Sequence, residues 1–334
     1  MGSSLVQLPL ALYSAAMLNP SDLDSKAIAA RFDRLASGTA GNLSRSIDHA
    51  DFLFREIERR MLERLSWTKL EPSTILDVGC GAGAGIVALQ QRYPEAFVAG
   101  IDLSLRMSQR ASTRIKASKV DNTKSQRFFS RLGAQIRHKL SADSPNLIIN
   151  GASECLPIKD SSIDLLWSNL LFHWLPNAAP AVEEWYRVIR PGGLVSFTAF
   201  GVDTFKELKS LGLPLMALPD MHDIGDLLAS SGFAEPVMDQ QKIVLTYAEA
   251  SKIIQEVASL GGDVRRARTK GLATRKAYQT AMKAVETLRG GDGKIALTVE
   301  VIFGHTWCPA QKKLQDGWAP LQMKPYVRNS QVGS

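Results

Sequence analysis

The stretch Ile75-Leu76-Asp77-Val78-Gly79-Cys80-Gly81-Ala82-Gly83 constrains the fold of this chain more than any other. A short apolar run bounded by glycines reads as a buried strand, and the glycines permit a tight turn into a helix beginning near Gly83. Such a turn gathers backbone N–H groups at the positive end of a helix dipole, where a nucleotide-like ligand can lie against the backbone. The next apolar run, Ala96–Ile101, leads into Asp102. An acid about twenty residues beyond such a loop can accept hydrogen bonds from both hydroxyls of an adenosine ribose. Glycine turns after strands are common; the loop and the acid together are the signal. Ala84 stands where a dinucleotide loop needs its third glycine, and the Lys-Ser/Thr pair of a P-loop is missing, so neither NAD nor ATP fits well.

Around this loop short apolar runs alternate with helical stretches, the pattern of a parallel α/β sheet. The strand candidates are Thr74–Val78, Ala96–Ile101, Asn146–Ile149, Ile163–Ser168 and Leu194–Phe200. Helical periodicity falls between them near Gly83–Tyr93, Leu105–Lys119 and Ala178–Ile189. Before the sheet, Ile28, Phe32 and Leu35, then Phe52, Leu53, Ile57, Met61 and Leu65, mark two helices broken by Ser37-Gly38 and Gly41-Asn42. Beyond Phe200, Met221–Ser231, Ala248–Leu260 and Thr274–Leu288 read as helical, and Val237–Leu245 and Ile295–His305 as extended. Residues 1–25 lack a clear period and read as a flexible leader. The stretch from Cys308, with Pro309, Pro320 and Pro325, reads as a surface strap or a disordered tail.

Composition excludes several classes. At 334 residues and 45% hydrophobic content the chain can bury a large core without disulfides or a structural metal. No uncharged apolar run reaches the roughly 18 residues of a membrane span, and Leu8–Leu18 is too short for one. That stretch lacks a basic n-region, and Val6 stands where a myristoylation signal needs Ser or Thr. Three scattered cysteines, Cys80, Cys155 and Cys308, point to a reducing compartment, with cytoplasm the expectation. They support no metal site, and His305 beside Cys308 has no second cluster to complete one. The net charge of +7 is local: Leu105–Leu140 carries ten Lys and Arg against Asp121 alone, which leaves the remainder of the chain at −2. A basic patch of that kind points to an acidic partner, unless it is a solvated face. RNA ranks low, because only Phe128-Phe129 offers aromatics for stacking.

The series Asp77–Gly83, Asp102, Leu156-Pro157, Ile163-Asp164 and Arg187-Val188-Ile189-Arg190-Pro191-Gly192-Gly193 resembles the motifs of class I S-adenosylmethionine-dependent methyltransferases over about residues 70–200. Two longer stretches, Trp167–Trp174 and Phe197–Leu208, resemble the malonyl-acyl-carrier-protein O-methyltransferases of biotin synthesis. So do Asp220–Asp226, Gly271-Leu272 after Arg268, and Val301–Trp307, extending the likeness over about residues 26–308. The resemblance implies an α/β, Rossmann-like seven-stranded sheet, mostly parallel with an antiparallel last strand and helices on both faces. It implies one domain over 26–308: N-terminal helices over 26–70, a cofactor-binding core over 71–200 interrupted by the basic insertion 105–140, and a substrate-side half over 201–308. Residues 309–334 form a tail.

By the same resemblance, S-adenosylmethionine is the cofactor, and its contacts fall to Asp77, Gly79, Gly81, Gly83, Asp102, Leu103, Ser153, Glu154 and Asn169. The acceptor is the free carboxyl of a malonyl group on acyl carrier protein, or on a small thioester, with the acidic carrier drawn to the basic insertion. One departure stands out: Ala152 occupies the place of an Asp that contacts the adenine amino group in the family. Two alternatives stay open, a cofactor-binding protein without turnover and an arginine hydroxylase of the respiratory complex I assembly type, suggested by His173-Trp174.

A carboxylate acceptor is already anionic at neutral pH, so no catalytic base is required; the site needs a cation or donor to place it and a wall that excludes water. Val264–Lys276 carries six cations with no acid among them, and Arg268 is the candidate for carboxylate positioning, its alternative being a solvated loop face. His173 is a second candidate, and it and Trp174 either line the pocket or belong to the core. His222, Asp223 and Asp226 read as a helix start.

Overall fold

Strand β1 (Thr74–Val78) is buried at every position, as is β4 (Ile163–Ser168), so both are mostly apolar, although each also buries an acid, Asp77 and Asp164. That is what strands covered on two faces require. In the computed structural model, which describes residues 24–37, 51–118, 147–213, 215–259 and 275–310, they pair in parallel at the centre of a seven-stranded sheet. The other strands are β2 (Phe97–Asp102), β3 (Ile148–Asn150), β5 (Ile189–Phe200), β6 (Ala234–Tyr247) and β7 (Ile295–Trp307), in the order β3-β2-β1-β4-β5-β7-β6. The first five in that order run parallel; β7 is antiparallel to both β5 and β6.

Helix α1 (Ser25–Ser37) and α2 (Asp51–Leu65) precede the sheet, and α3 (Ala84–Arg92) and α4 (Leu105–Ala117) connect β1 to β2 and lead on from β2. Side chains alternate across the sheet, so Ile75 and Leu165 face one core with Leu53, Ile57, Ile86 and Ile115. Leu76 and Leu166 face the other with Trp185 and Val182 from α5 (Ala178–Val188) and Ile224 and Leu228 from α7 (Met221–Ser230). A short α6 (Lys206–Ser210) follows β5, while α8 (Ala250–Ser259) and α9 (Arg275–Glu286) lie between β6 and β7. Helices therefore cover both faces. Crossovers that lie on one face after β1 and β2 and on the other after β4 open a crevice between the carboxyl ends of β1 and β4, the place where α/β sheets bind ligands.

Several bounds differ from the sequence reading, most by a residue or two. Strand β5 begins at Ile189 rather than Leu194, because Ile189 pairs with Ile163 and the Gly192-Gly193 turn is hydrogen-bonded to Cys308 through both its strands' backbones, at 2.9 Å in each bond. Strand β6 is longer at both ends, pairing along β7 from Ala234 to Tyr247. Cys308 is buried against the sheet rather than part of a loose tail. Residues 1–23 of the expected leader, most of the basic insertion and the chain beyond residue 310 lie outside the described residues, as do Arg268, Gly271 and Leu272, while Ser25, placed in the leader by the sequence reading, is the first residue of α1.

Candidate active site

The turn after β1 is built by glycine backbones that other residues resist. Gly79, Gly81 and Gly83 have φ of 75°, 51° and 79°. Gly79 and Cys80 donate N–H bonds to the Ile101 carbonyl at 2.8 and 3.1 Å, which ties the loop to the end of β2. A Cβ at Gly81 would meet nothing within 4 Å, so this backbone faces open space. Gly83 serves a different purpose: a Cβ there would stand 2.9 Å from Ala111 Cα on α4, and it packs two helices instead of bordering the crevice.

The space above this loop holds about 1360 Å³, open solvent at its mouth included. It is bordered by the β1 turn with Asp77, Gly79 and Gly81, by Asp102 and Leu103 after β2, by Ser153 and Glu154 after β3, and by Asn169 after β4. Helix α1 covers it with Ser25, Ile28, Ala29 and Phe32, and α2 contributes Phe54 and Glu58. The sequence reading did not assign either helix to the site. Their apolar periodicity was visible, but which side they would cover depends on contacts distant in sequence. One such contact is explicit: Ser104, the N-cap of α4, donates through its hydroxyl to Asp33 Oδ1 of α1 at 2.6 Å.

Asp102 is held by two backbone donors, Gly81 N–H to Oδ2 and Ser104 N–H to Oδ1, each at 2.8 Å. Burial nevertheless pushes its carboxyl up to about 6; the two N–H bonds oppose the rise and the Asp33 carboxylate adds to it. Asp77 is pushed well above the usual carboxylate range by burial, with the Glu58 and Asp102 charges adding. Among the described residues nothing donates to its carboxylate. It lies close to Gly85, where a Cβ would come within 2.9 Å of Asp77 Oδ2 and 3.4 Å of the Trp167 indole nitrogen. That indole N–H is buried and has no hydrogen-bond partner among the described residues. A buried, unpartnered carboxylate is stabilised by an adjacent cation, and backbone without Cβ atoms leaves room for the ligand that carries one. These residues fit a cationic sulfonium cofactor with ribose hydroxyls.

Asn169 sits where β4 ends; its Oδ1 accepts from Thr198 Oγ1 at 2.6 Å, which leaves its NH₂ for the cavity it borders. Leu170 then takes φ 57°, held by its N–H donating to Thr198 Oγ1 at 2.9 Å. His173 is in the short 3₁₀ turn Phe172–Trp174, buried behind the cavity wall, and does not border the cavity. Its Nδ1 accepts from the Phe200 N–H at 3.3 Å, and burial alone lowers its pKa to about 3, so the ring is neutral. A neutral buried imidazole supplies no charge to a substrate carboxylate. Trp174 does border the cavity, edge-on to Phe32 at 5.2 Å between ring centres. Cys80 packs beneath the loop against Gly100, its thiol pKa raised by burial. His222 and Asp223 begin α7 behind the N-cap Asp220, which accepts the His222 N–H at 2.8 Å. Among the described residues no group of three or more His, Cys, Asp or Glu could hold a metal ion.

Comparison with known proteins adds to this geometry. Residues 76–197 match the family described as a methyltransferase domain. The chain is 34% identical over 312 residues to the malonyl-[acyl-carrier protein] O-methyltransferase of Gallionella capsiferriformans, covering 91% of this chain and 98% of that one. It is 35% identical over 316 residues to the protein of the same name in Methylovorus sp., covering 92% and 97%. Among solved structures, it resembles the YcgJ protein from Bacillus subtilis with a TM-score of 0.51 at 16% identity, over 75% of this chain and 97% of that one. It also resembles the phosphoethanolamine N-methyltransferase 2 of Haemonchus contortus in complex with S-adenosylhomocysteine, with a TM-score of 0.51 at 16% identity, over 84% and 60%. Those two likenesses concern the fold.

Proposed function

The chain belongs to the malonyl-[acyl-carrier protein] O-methyltransferase family, and from that premise we propose that it methylates the free carboxyl of a malonyl group carried by acyl carrier protein, with S-adenosylmethionine as methyl donor. The observation that carries this reading is kinship over 91% of the chain with a protein named for that reaction. Masking the carboxylate as an ester removes its charge, which suits the biotin-synthesis role implied by the family. The cofactor supplies an electrophilic methyl group on a sulfonium. This chain's residues hold and align: Asp102 for the ribose, the Gly79–Gly81 backbone beside the methionine portion, Asp77 for the positive charge, and Asn169, Leu103, Ser153 and Glu154 around the remainder. Since the acceptor is ionised at neutral pH, the protein's task is alignment and exclusion of water, with no proton to move. Phe32, Trp174 and Leu171 give the cavity the apolar wall this requires.

Arg268 remains the proposed holder of the substrate carboxylate within 264–276, and the basic insertion the proposed carrier-docking surface. Four of the insertion's ten cations, Arg106, Arg110, Arg114 and Lys116, lie on the described α4. Among the described residues no helix is long and apolar enough to cross a membrane, and we place the enzyme in the cytoplasm on its cysteine usage. The arginine-hydroxylase alternative gains no support from relatives named for methyl transfer. Mass spectrometry of malonyl-loaded carrier incubated with the enzyme and S-adenosylmethionine, with acetyl-loaded carrier as control, tests the proposal. A gain of one CH₂ on the malonyl carrier alone is the expected result. No gain, with cofactor binding shown by calorimetry, moves the acceptor elsewhere or leaves a binding protein without turnover.

A further inference from the structure

The charges around the cavity are unequal. Among the described residues that border it, four are acids, Glu58, Asp77, Asp102 and Glu154, and one is a cation, Arg114 on α4. Arg114 stands three residues after Ala111, the residue whose Cα meets Gly83, so it lies one turn along α4 from the glycine loop. Its neighbours Arg110 and Lys116 differ from it in not bordering the cavity, and Arg110 is bound to the Ala36 carbonyl of α1 at 3.3 Å. Arg114 is half-buried, yet among the described residues its guanidinium makes no hydrogen bond or ion pair. A half-buried guanidinium at the wall of an otherwise acidic cavity calls for an anion, and its planar fork matches a carboxylate with two parallel bonds.

We infer that Arg114 receives a ligand carboxylate in this cavity. Two molecules bring one there on the function proposed above, on which this inference rests: the cofactor through its methionine end and the substrate through its malonyl group. The acids account for the cofactor's positive charges and hydroxyls; among the described cavity residues neither carboxylate has another cationic partner, and for the substrate's carboxylate Arg268, outside those residues, is the alternative that the second titration below tells apart. Arg114 is therefore a specificity residue, selecting ligands with a free carboxylate.

Two calorimetric titrations compare wild type with Arg114→Gln and Arg114→Lys, substitutions that keep helix propensity close to that of arginine. The first sets S-adenosylhomocysteine against its analogue lacking the carboxylate. The second sets malonyl-pantetheine against acetyl-pantetheine on the S-adenosylhomocysteine complex. If Arg114 holds the cofactor, wild type prefers the carboxylate form roughly ten- to a hundredfold, R114Q loses that preference and R114K keeps part of it. If it holds the substrate, the same loss falls on the malonyl preference and the cofactor titration is unchanged. Wild-type preferences in both titrations of R114Q overturn the assignment. Neither titration needs turnover, so a failure of the proposed methyl acceptor shows in the mass-spectrometric assay and leaves this result readable.

Discussion

Asp102 meets two opposed demands, and its pKa of about 6 follows from them. Its unfolded value is about 4, so the folded chain takes up a proton that the unfolded chain does not between those pH values. The stabilising effect of that proton is present at acid pH and is lost as pH rises through about 6. Ligand binding has the opposite sign, because ribose hydroxyls need an ionised acceptor. Affinity for S-adenosylhomocysteine should therefore fall as pH drops below about 6 while the ligand-free protein gains stability, and Asp102→Asn should weaken binding roughly tenfold or more at pH 7.5 and remove most of the pH dependence. Calorimetry across that range reads both. Ala152 borders the cavity next to Ser153, and Ala152→Asp should tighten cofactor binding by about fivefold, the worth of one hydrogen bond of about 1 kcal/mol. Unchanged affinity would show that the adenine amino group is held elsewhere. Asp77, Gly81 and Asp102 could be read from the sequence because loop and acid are fixed by local chain geometry. Glu58 and Arg114 could not, since only the packing of α2 and α4 brings them to the same space.

At the scale of elements, the interior glycine of β7 follows the same logic in the core. A Cβ at Gly304 would stand 2.2 Å from the Phe197 ring of β5, and that ring is fully buried and stacked on Phe172 at 5.6 Å. Gly304→Ala should cost roughly 2–3 kcal/mol, seen as a lower urea midpoint at unchanged slope. Ser104→Ala removes both the cap of α4, which accepts the Met107 N–H at 3.1 Å, and the bond to Asp33, for an expected loss of about 1–2 kcal/mol. Because the same serine anchors α1 above the cavity, cofactor affinity should fall with it; a stability change alone would mean that α1 is held by its apolar residues. The central strands were legible as mostly apolar runs, since burial on both faces leaves a polar position only where it is hydrogen-bonded, as Asp164 is, or faces the cavity, as Asp77 does. The start of β5 was not, because Arg190-Pro191-Gly192-Gly193 has the composition of a turn and becomes part of the sheet only through pairing with residues more than a hundred positions later.

For the whole molecule, charge and connectivity decide how it meets its partner and how it assembles. If the basic segment 105–140 draws in an acidic carrier, transfer to malonyl carrier should slow with added salt while transfer to malonyl-pantetheine stays level, because screening acts on long-range attraction between exposed charges. Equal salt response of the two substrates would remove the docking role. A seven-stranded sheet with an antiparallel last strand was implied by the family resemblance, but its strand order came only with the structure, and the order has a temporal consequence. Strand β7 lies between β5 and β6, both made before it. At ~5–20 residues per second, translation takes on the order of 5–20 s to pass from Phe200 to Trp307. Throughout that interval the nascent chain carries an unsatisfied edge on β5, on the side away from β4 and the crevice, and the parallel half can be complete while the sheet is still open. Ribosome-associated chaperones have that window in which to act, and so does aggregation with a second unfinished chain.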